Sequence, residues 1–336
     1  MAKYNFSILF AALLTCAGSH AQNVVEVSKN LNYRQSVTPQ KMDNYLFSTY
    51  YSNGKTAYNL KGFELATASS KVVSLKVNPA GASYALLSSD DDSWSLNIYD
   101  INVQRKRLYA FDKELNARAV CYSADSRLLL VADADGLVRY YDTQGYTVMG
   151  EMALGFVPSD MVSSSNGYFV AAIGNNEVAI VNQEQKTIRT RIPATDAVKA
   201  VAFSSDASSV GILSGNTISI YNTFDFKLET TIVDIDGATS FSFHPDGKYM
   251  CVACRDNTIV FCNLYDPSDR GTIVEPRGKV STVKFVNDAK HQVYLSYNTD
   301  KALCYKILKG LKPNYTRLMR DELNARMMEW CKRGAD

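Results

Sequence analysis

The chain has 336 residues, 46% hydrophobic and 11% aromatic, which is enough apolar mass for a large core. Lys and Arg number 36 against 34 Asp and Glu, and no basic run is interleaved with aromatics, which argues against a nucleic-acid partner. Twenty-one tyrosines, with abundant Val, Ile and Thr, favour strands.

The first 21 residues are of a different kind. Lys3 gives a positive start, residues 6–17 form an apolar stretch too short to span a bilayer, and Ser19 and Ala21 place small residues before a cut ahead of Gln22. A secretory signal peptide is expected over 1–21, so the mature chain is expected to be periplasmic or extracellular. Lipoprotein anchoring at Cys16 fits poorly, because Thr15 precedes the cysteine. No later segment is apolar enough to cross a membrane.

From residue 55 onward one motif recurs: an alternating strand that ends in an aromatic or apolar residue followed by Asn or Asp. It reads KTAYN (55–59), LNIYD (96–100), VRYYD (138–142), VAIVN (178–182), ISIYN (218–222), IVFCN (259–263) and, with Lys last, ALCYK (302–306). The fourth positions are Tyr58, Tyr99, Tyr141, Val181, Tyr221, Cys262 and Tyr305, at spacings of 41, 42, 40, 40, 41 and 43 residues. A turn keeps the same beat: NPAG (78–81), ADS (124–126), SSNG (164–167), SSDA (204–207), HPDG (244–247) and VNDA (286–289). Between turn and motif lies a second alternating strand, closed by a hairpin of Gly, Asn and Asp, which accept the positive φ of tight turns. An inner strand precedes each turn and an outer one follows each motif.

Four strands per unit of about 40 residues is the period of a β-propeller blade. The expected fold is therefore all-β, a seven-bladed propeller over residues 22–308. Residues 23–29 (NVVEVSK) would supply the last blade's missing strand, leaving no free sheet edge at the seam. The units resemble WD40 and YVTN-type β-propeller repeats over residues 23–308, most closely at SFHPDGKYMCVACRDNTIVFCNLYD (242–266). No unit has Trp-Asp and the Gly-His dipeptide is missing, so the buried Asp-His-Ser-Trp network of strict WD40 proteins is not carried over.

Cys251, Cys254 and Cys262 taken alone suggest a zinc or redox site. Aligned to the repeat, Cys251 falls where other units have Ala85, Leu130, Ala171, Gly211 and Val293, and Cys262 takes the tyrosine position. Residues three apart on a strand face opposite ways, so Cys251 and Cys254 cannot hold one ion together. All three are expected to be buried strand residues, with a Cys254–Cys262 cross-strand bridge as the alternative. Cys121, Cys304 and Cys331 have no disulfide-framework spacing.

Catalytic chemistry is sparse. Past the leader only His244 and His291 remain, and there is no G-x-S-x-G, phosphate-binding glycine loop or H-E-x-x-H. The loop SSDDDSW (88–94) is longer than its counterparts and carries Asp90, Asp91, Asp92 and Trp94, and the next unit's hairpin holds Asp133 and Asp135. These could dock a basic partner or bind Ca²⁺, or simply form a solvated hairpin with a half-exposed Trp. No cofactor is otherwise expected. Residues 309–336 read as an amphipathic helix, with Leu318 or Met319, Leu323, Met327 and Trp330 or Cys331 on one stripe. That stripe either packs under the propeller or binds a partner.

The function these features suggest is a non-catalytic scaffold for protein partners in a bacterial cell envelope. The resemblance leaves two alternatives: a metal-assisted, lactonase-like hydrolase with carboxylates at the channel, and a carbohydrate binder using Trp94 and tyrosines.

Overall fold

The computed structural model describes residues 71–266 apart from 91, 92, 102, 104, 105, 245, 246, 248 and 257. Outside that span it describes the strands Tyr51–Ser52, Thr56–Tyr58, Glu64–Thr67, Arg270–Val274, Thr282–Asn287, Val293–Asn298 and Ala302–Lys306. The expected closing strand at 23–29 and tail helix at 309–336 lie outside the described residues.

Strand burial follows the repeat. The second strands Leu128–Asp133, Ser209–Ser214 and Tyr249–Cys254 are buried on both faces, so their apolar and small residues run almost without interruption. The third strands Leu137–Asp142 and Thr217–Asn222 alternate at their start. The fourth strand Arg107–Ala110 is exposed along its whole length. In the third and fifth sheets burial therefore falls from the second strand outward to the fourth.

The described strands form seven antiparallel sheets in chain order. The first (51–67) and last (282–306) show three strands each, and the five between them four each, all as simple meanders. First strands of successive sheets touch, from Lys71–Val77 to Ala117–Tyr122 and on as far as Thr282–Asn287. Neighbouring sheets then pack face to face. Ala85, Leu87 and Ile98 of the second sheet meet Val120, Leu129 and Val131 of the third, and the third sheet's other face puts Leu130, Val138 and Tyr140 against Met161, Val170 and Val181 of the fourth. Ile180 meets Val210, and Ile220 meets Phe241, across the next two junctions. Each buried Leu, Ile or Val contributes about 1.5–3 kcal/mol. Small sheets stacked in series with their first strands innermost have β-propeller architecture.

Two irregularities repeat. The third-to-fourth ladder slips by one residue just before Tyr99, Tyr141, Val181 and Tyr221, which puts an extra residue on each outer strand. Such bulges disfavour edge-to-edge pairing with other chains. The sixth sheet keeps regular register at Cys262.

In the third, fourth and fifth sheets the turn after the first strand is held by its own side chains. The Ser123 hydroxyl donates to Asp125 at 2.6 Å and accepts the Leu128 N–H at 2.9 Å. Ser164 with Asn166, and Ser204 with Asp206, make the same pair of bonds to Phe169 and Ser209. The Asn or Asp that ends the motif has a matching role at the next turn: Asp142 accepts the N–H groups of Gln144, Gly145 and Thr147, and Asn222 those of Phe224 and Asp225. These are Asx turns, which explains the fifth residue of the motif.

Two glycines test this geometry separately. Gly167 has φ +75° with room for a Cβ, 3.7 Å from the Ala124 Cβ, whereas at Gly136 (φ +76°) a Cβ would stand 2.4 Å from the Phe156 carbonyl oxygen. Gly167→Ala is expected to cost about 1 kcal/mol from left-handed strain alone. Gly136→Ala, with a backbone clash added, is expected to cost about 3 kcal/mol. Urea unfolding of the two variants checks the order, and equal losses would show that the clash is relieved without cost.

Candidate functional site

The hairpins between second and third strands share one rim with the linkers that run from sheet to sheet. Leu154, Ala194 and Ile235, each on a linker, donate their N–H to the hairpin carbonyls of Gly136, Asn176 and Asn216 at 2.9, 2.8 and 3.1 Å. The predicted acidic patch falls on this rim, but its members differ in character.

Asp90 is exposed, and its loop closes through an Asp90 N–H bond to the Ser93 carbonyl at 2.8 Å. Asp91 and Asp92 lie outside the described residues. Trp94 is the first residue of the strand Trp94–Asp100 and packs half-buried against the core between the second and third sheets. The Arg118 guanidinium lies over its ring, 4.3 Å from the centroid. Arg118 occupies a bulge in the first strand of the third sheet, which turns its side chain back toward the preceding sheet.

Asp133 faces inward. It is 5% exposed; one carboxylate oxygen accepts the N–H groups of Asp135 and Leu137 at 2.9 and 3.0 Å, and the other accepts from Arg139 at 2.7 Å. Its oxygens and charge are committed to its own hairpin, so it serves structure rather than docking. The exposed acids on this rim include Asp90 and Asp135, joined by Asp112, Glu114, Asp196, Asp234, Asp236 and Asp256, which the sequence did not single out. Their common signal was their place in or beside the hairpins. Leu323, Met327 and Trp330 lie outside the described residues.

The three clustered cysteines are strand residues. Cys254 and Cys262 belong to the core between the fifth and sixth sheets, and Cys251 points to the other face. Cys262 pairs in register with Met250, four residues from Cys254, so a Cys254–Cys262 bridge is ruled out by register. Burial pushes the thiol of Cys254 up to about 11 and that of Cys121 up to about 12, and raises Cys251 strongly. Thiolates are the reactive form, so these side chains are chemically quiet. Among the described residues, no three His, Cys, Asp or Glu side chains are grouped to hold a metal ion.

Toward the centre, Lys76 of the second sheet reaches past the third to Asp160 of the fourth, with Nζ 2.8 Å from Oδ1. The Asp160 carboxylate on the inner strand is thus neutralised by a lysine two sheets away. Among the described residues, no helix is long and apolar enough to cross a membrane.

Residues 107–142 and 230–263 match the family model of the WD domain, G-beta repeat. The chain carries WD40-like repeats. Each matched stretch takes in the outer strand, whole or in part, of one sheet and the first three strands of the next. A WD40-like unit therefore straddles two sheets and staples them covalently. Repeats of this kind generally mediate protein–protein contacts.

Asp133→Ala would remove the acceptor of two N–H groups and the partner of Arg139. A loss of about 3 kcal/mol in urea unfolding is expected, against less than about 0.5 kcal/mol for Asp90→Ala or Asp135→Ala. Equal effects at all three positions would return Asp133 to the exposed set. Brief alkylation of the native protein, mapped by mass spectrometry, is expected to leave Cys121, Cys251, Cys254 and Cys262 unmodified; rapid labelling of Cys254 would contradict its burial.

Proposed function

We propose that this chain is an exported, non-catalytic, seven-bladed propeller that holds protein partners in the cell envelope. In this reading residues 1–21 are removed, residues 23–29 close the ring with the last sheet, and the tail at 309–336 is a helix that adds a second contact surface through Leu323, Met327 and Trp330. One observation carries the scaffold reading: in the third to fifth sheets the turn-forming polar groups are satisfied locally, while the exposed tips differ from sheet to sheet. The hairpins read SSDDDS (88–93), DADG (133–136), GNN (174–176) and SGN (214–216) in successive sheets, differing in length and charge. A rigid ring with freely varying tips suits recognition. The WD40-like repeats support the same reading.

Two measurements test it. N-terminal sequencing of the protein recovered from a periplasmic fraction is expected to begin at Gln22; an uncleaved cytoplasmic product would overturn export. A photo-reactive residue at Asp90, at Asp135 or at Met327 is expected to form a covalent adduct with a defined envelope protein. If none of the three sites yields a protein adduct, these surfaces are not the ones that hold partners.

A further inference from the structure

The opposite rim, built from the turns after the first and third strands, carries a feature that the acidic hairpins do not explain. Two residues beyond the Asn or Asp of the motif stand Gln144 in the third sheet, Glu184 in the fourth, Phe224 in the fifth and Tyr265 in the sixth. The first two are polar and exposed, as a solvated turn tip should be. Phe224 is 91% exposed and Tyr265 45%, and Tyr168, in the nearby turn of the fourth sheet, is 62% exposed. Three aromatic side chains thus face water along one arc of the rim.

The turn that carries Phe224 is firmly built. Asn222 accepts the N–H groups of Phe224 and Asp225 at 3.1 and 2.9 Å. The Thr223 hydroxyl donates to the Ala207 carbonyl at 2.6 Å, which fastens this turn to the first turn of the same sheet. Phe226, at φ +57°, sets its ring edge-on to Phe169 of the fourth sheet with centroids 5.2 Å apart. The Ser165 hydroxyl donates to the Ser205 carbonyl at 2.8 Å, joining the turn that holds Tyr168 to that of the fifth sheet. Phe224 therefore projects from a surface fixed on several sides, the arrangement of a pre-organised anchor.

Carboxylates flank the anchor. Asp206 and Asp225 stand on the two turns of the fifth sheet, and Glu184 on the fourth. Partial burial alone would raise Asp206, but hydrogen bonds from Ser204 and Ser208 outweigh it and hold the group low. Hydrogen bonds from Lys227 and Asn222 depress Asp225 to about 2. Both stay ionised at neutral pH, and Lys227 is already paired to Asp225 at 2.7 Å.

We propose that this arc of the rim, from Tyr168 through Phe224 to Tyr265, is a docking surface for a protein segment that combines large apolar side chains with Lys or Arg. The apolar groups would cover the aromatic anchors and the cations would meet Asp206 and Glu184, since Asp225 is already taken by Lys227. The proposal rests on the scaffold reading and names the chemistry of one partner.

The test uses the full chain as the target of a random peptide library, followed by fluorescence anisotropy with the enriched peptides. Enriched peptides are expected to set Lys or Arg beside aliphatic or aromatic residues. Phe224→Ser is expected to weaken them at least about tenfold, Tyr265→Ser less, and Asp135→Ala on the other rim not at all. Raising the salt concentration is expected to weaken binding as well. Phe224 is exposed, so an unchanged melting temperature for Phe224→Ser separates lost docking from lost folding. Peptides that bind equally to the Phe224→Ser and Tyr265→Ser variants would overturn this site and leave the scaffold reading standing. Enrichment of acidic peptides would overturn the proposed charge. Absence of any enriched peptide, together with Phe224-dependent partition onto phosphatidylcholine vesicles, would overturn the peptide surface in favour of a lipid one.

Discussion

The interaction on which the structure depends is burial of both faces of a sheet between its neighbours, seen at the third, fourth and fifth sheets. A four-stranded meander standing alone has one dry face at most. Here the third sheet meets the second through Val120 and Val131, and the fourth through Leu130 and Tyr140, so its second strand is buried on both sides. That demand selects small and apolar residues whatever their chemical family. Cysteine serves at 251, 254 and 262, and glycine at 211, where a Cβ would come 2.8 Å from the Phe241 ring of the next sheet.

With the faces committed to packing, polar groups are handled locally. The Ser-x-Asp turns and the Asx turns at the motif ends satisfy backbone donors within a few residues. Two sheltered charges pair across short gaps, Asp133 with Arg139 on its hairpin and Lys76 with Asp160 between inner strands. The chemistry left exposed is displayed at the turn tips: acids on the hairpin rim, aromatics flanked by acids on the other. A propeller built in this way separates what holds it together from what it shows to a partner.

Much of the fold was legible in the primary structure. The steady spacing of Tyr99, Tyr141, Val181 and Tyr221 marked the units, and each proved to be the third strand of a sheet. The neutral reading of the cysteine cluster followed from alternation along a strand, and the register agrees with it. The candidate site was less legible. Asp133 and Asp135 look alike two residues apart, yet one binds Arg139 and the other meets solvent, because the hairpin turns one carboxylate back over its own N–H groups. Trp94 looked like a loop residue and is a strand residue under Arg118. Nothing local announces Arg118, since the bulge that aims it is a property of two strands at once.

By itself the sequence determined the repeat, the strand order within a unit and the turn chemistry, because alternation, glycine and Asx side chains act over a few neighbouring residues. It also determined that 251–262 is a strand pair, in which strand geometry alone separates the two thiols of the C-x-x-C pair. Only the tertiary structure decided which acids are spent internally, where Trp94 sits, and that Phe224 stands bare while Phe226 is tucked against Phe169. Those outcomes depend on contacts between sheets some 40 residues apart in the chain, as with Ser165 and Ser205. A side chain's exposure is set by what the neighbouring sheet brings to it, and no local pattern carries that information.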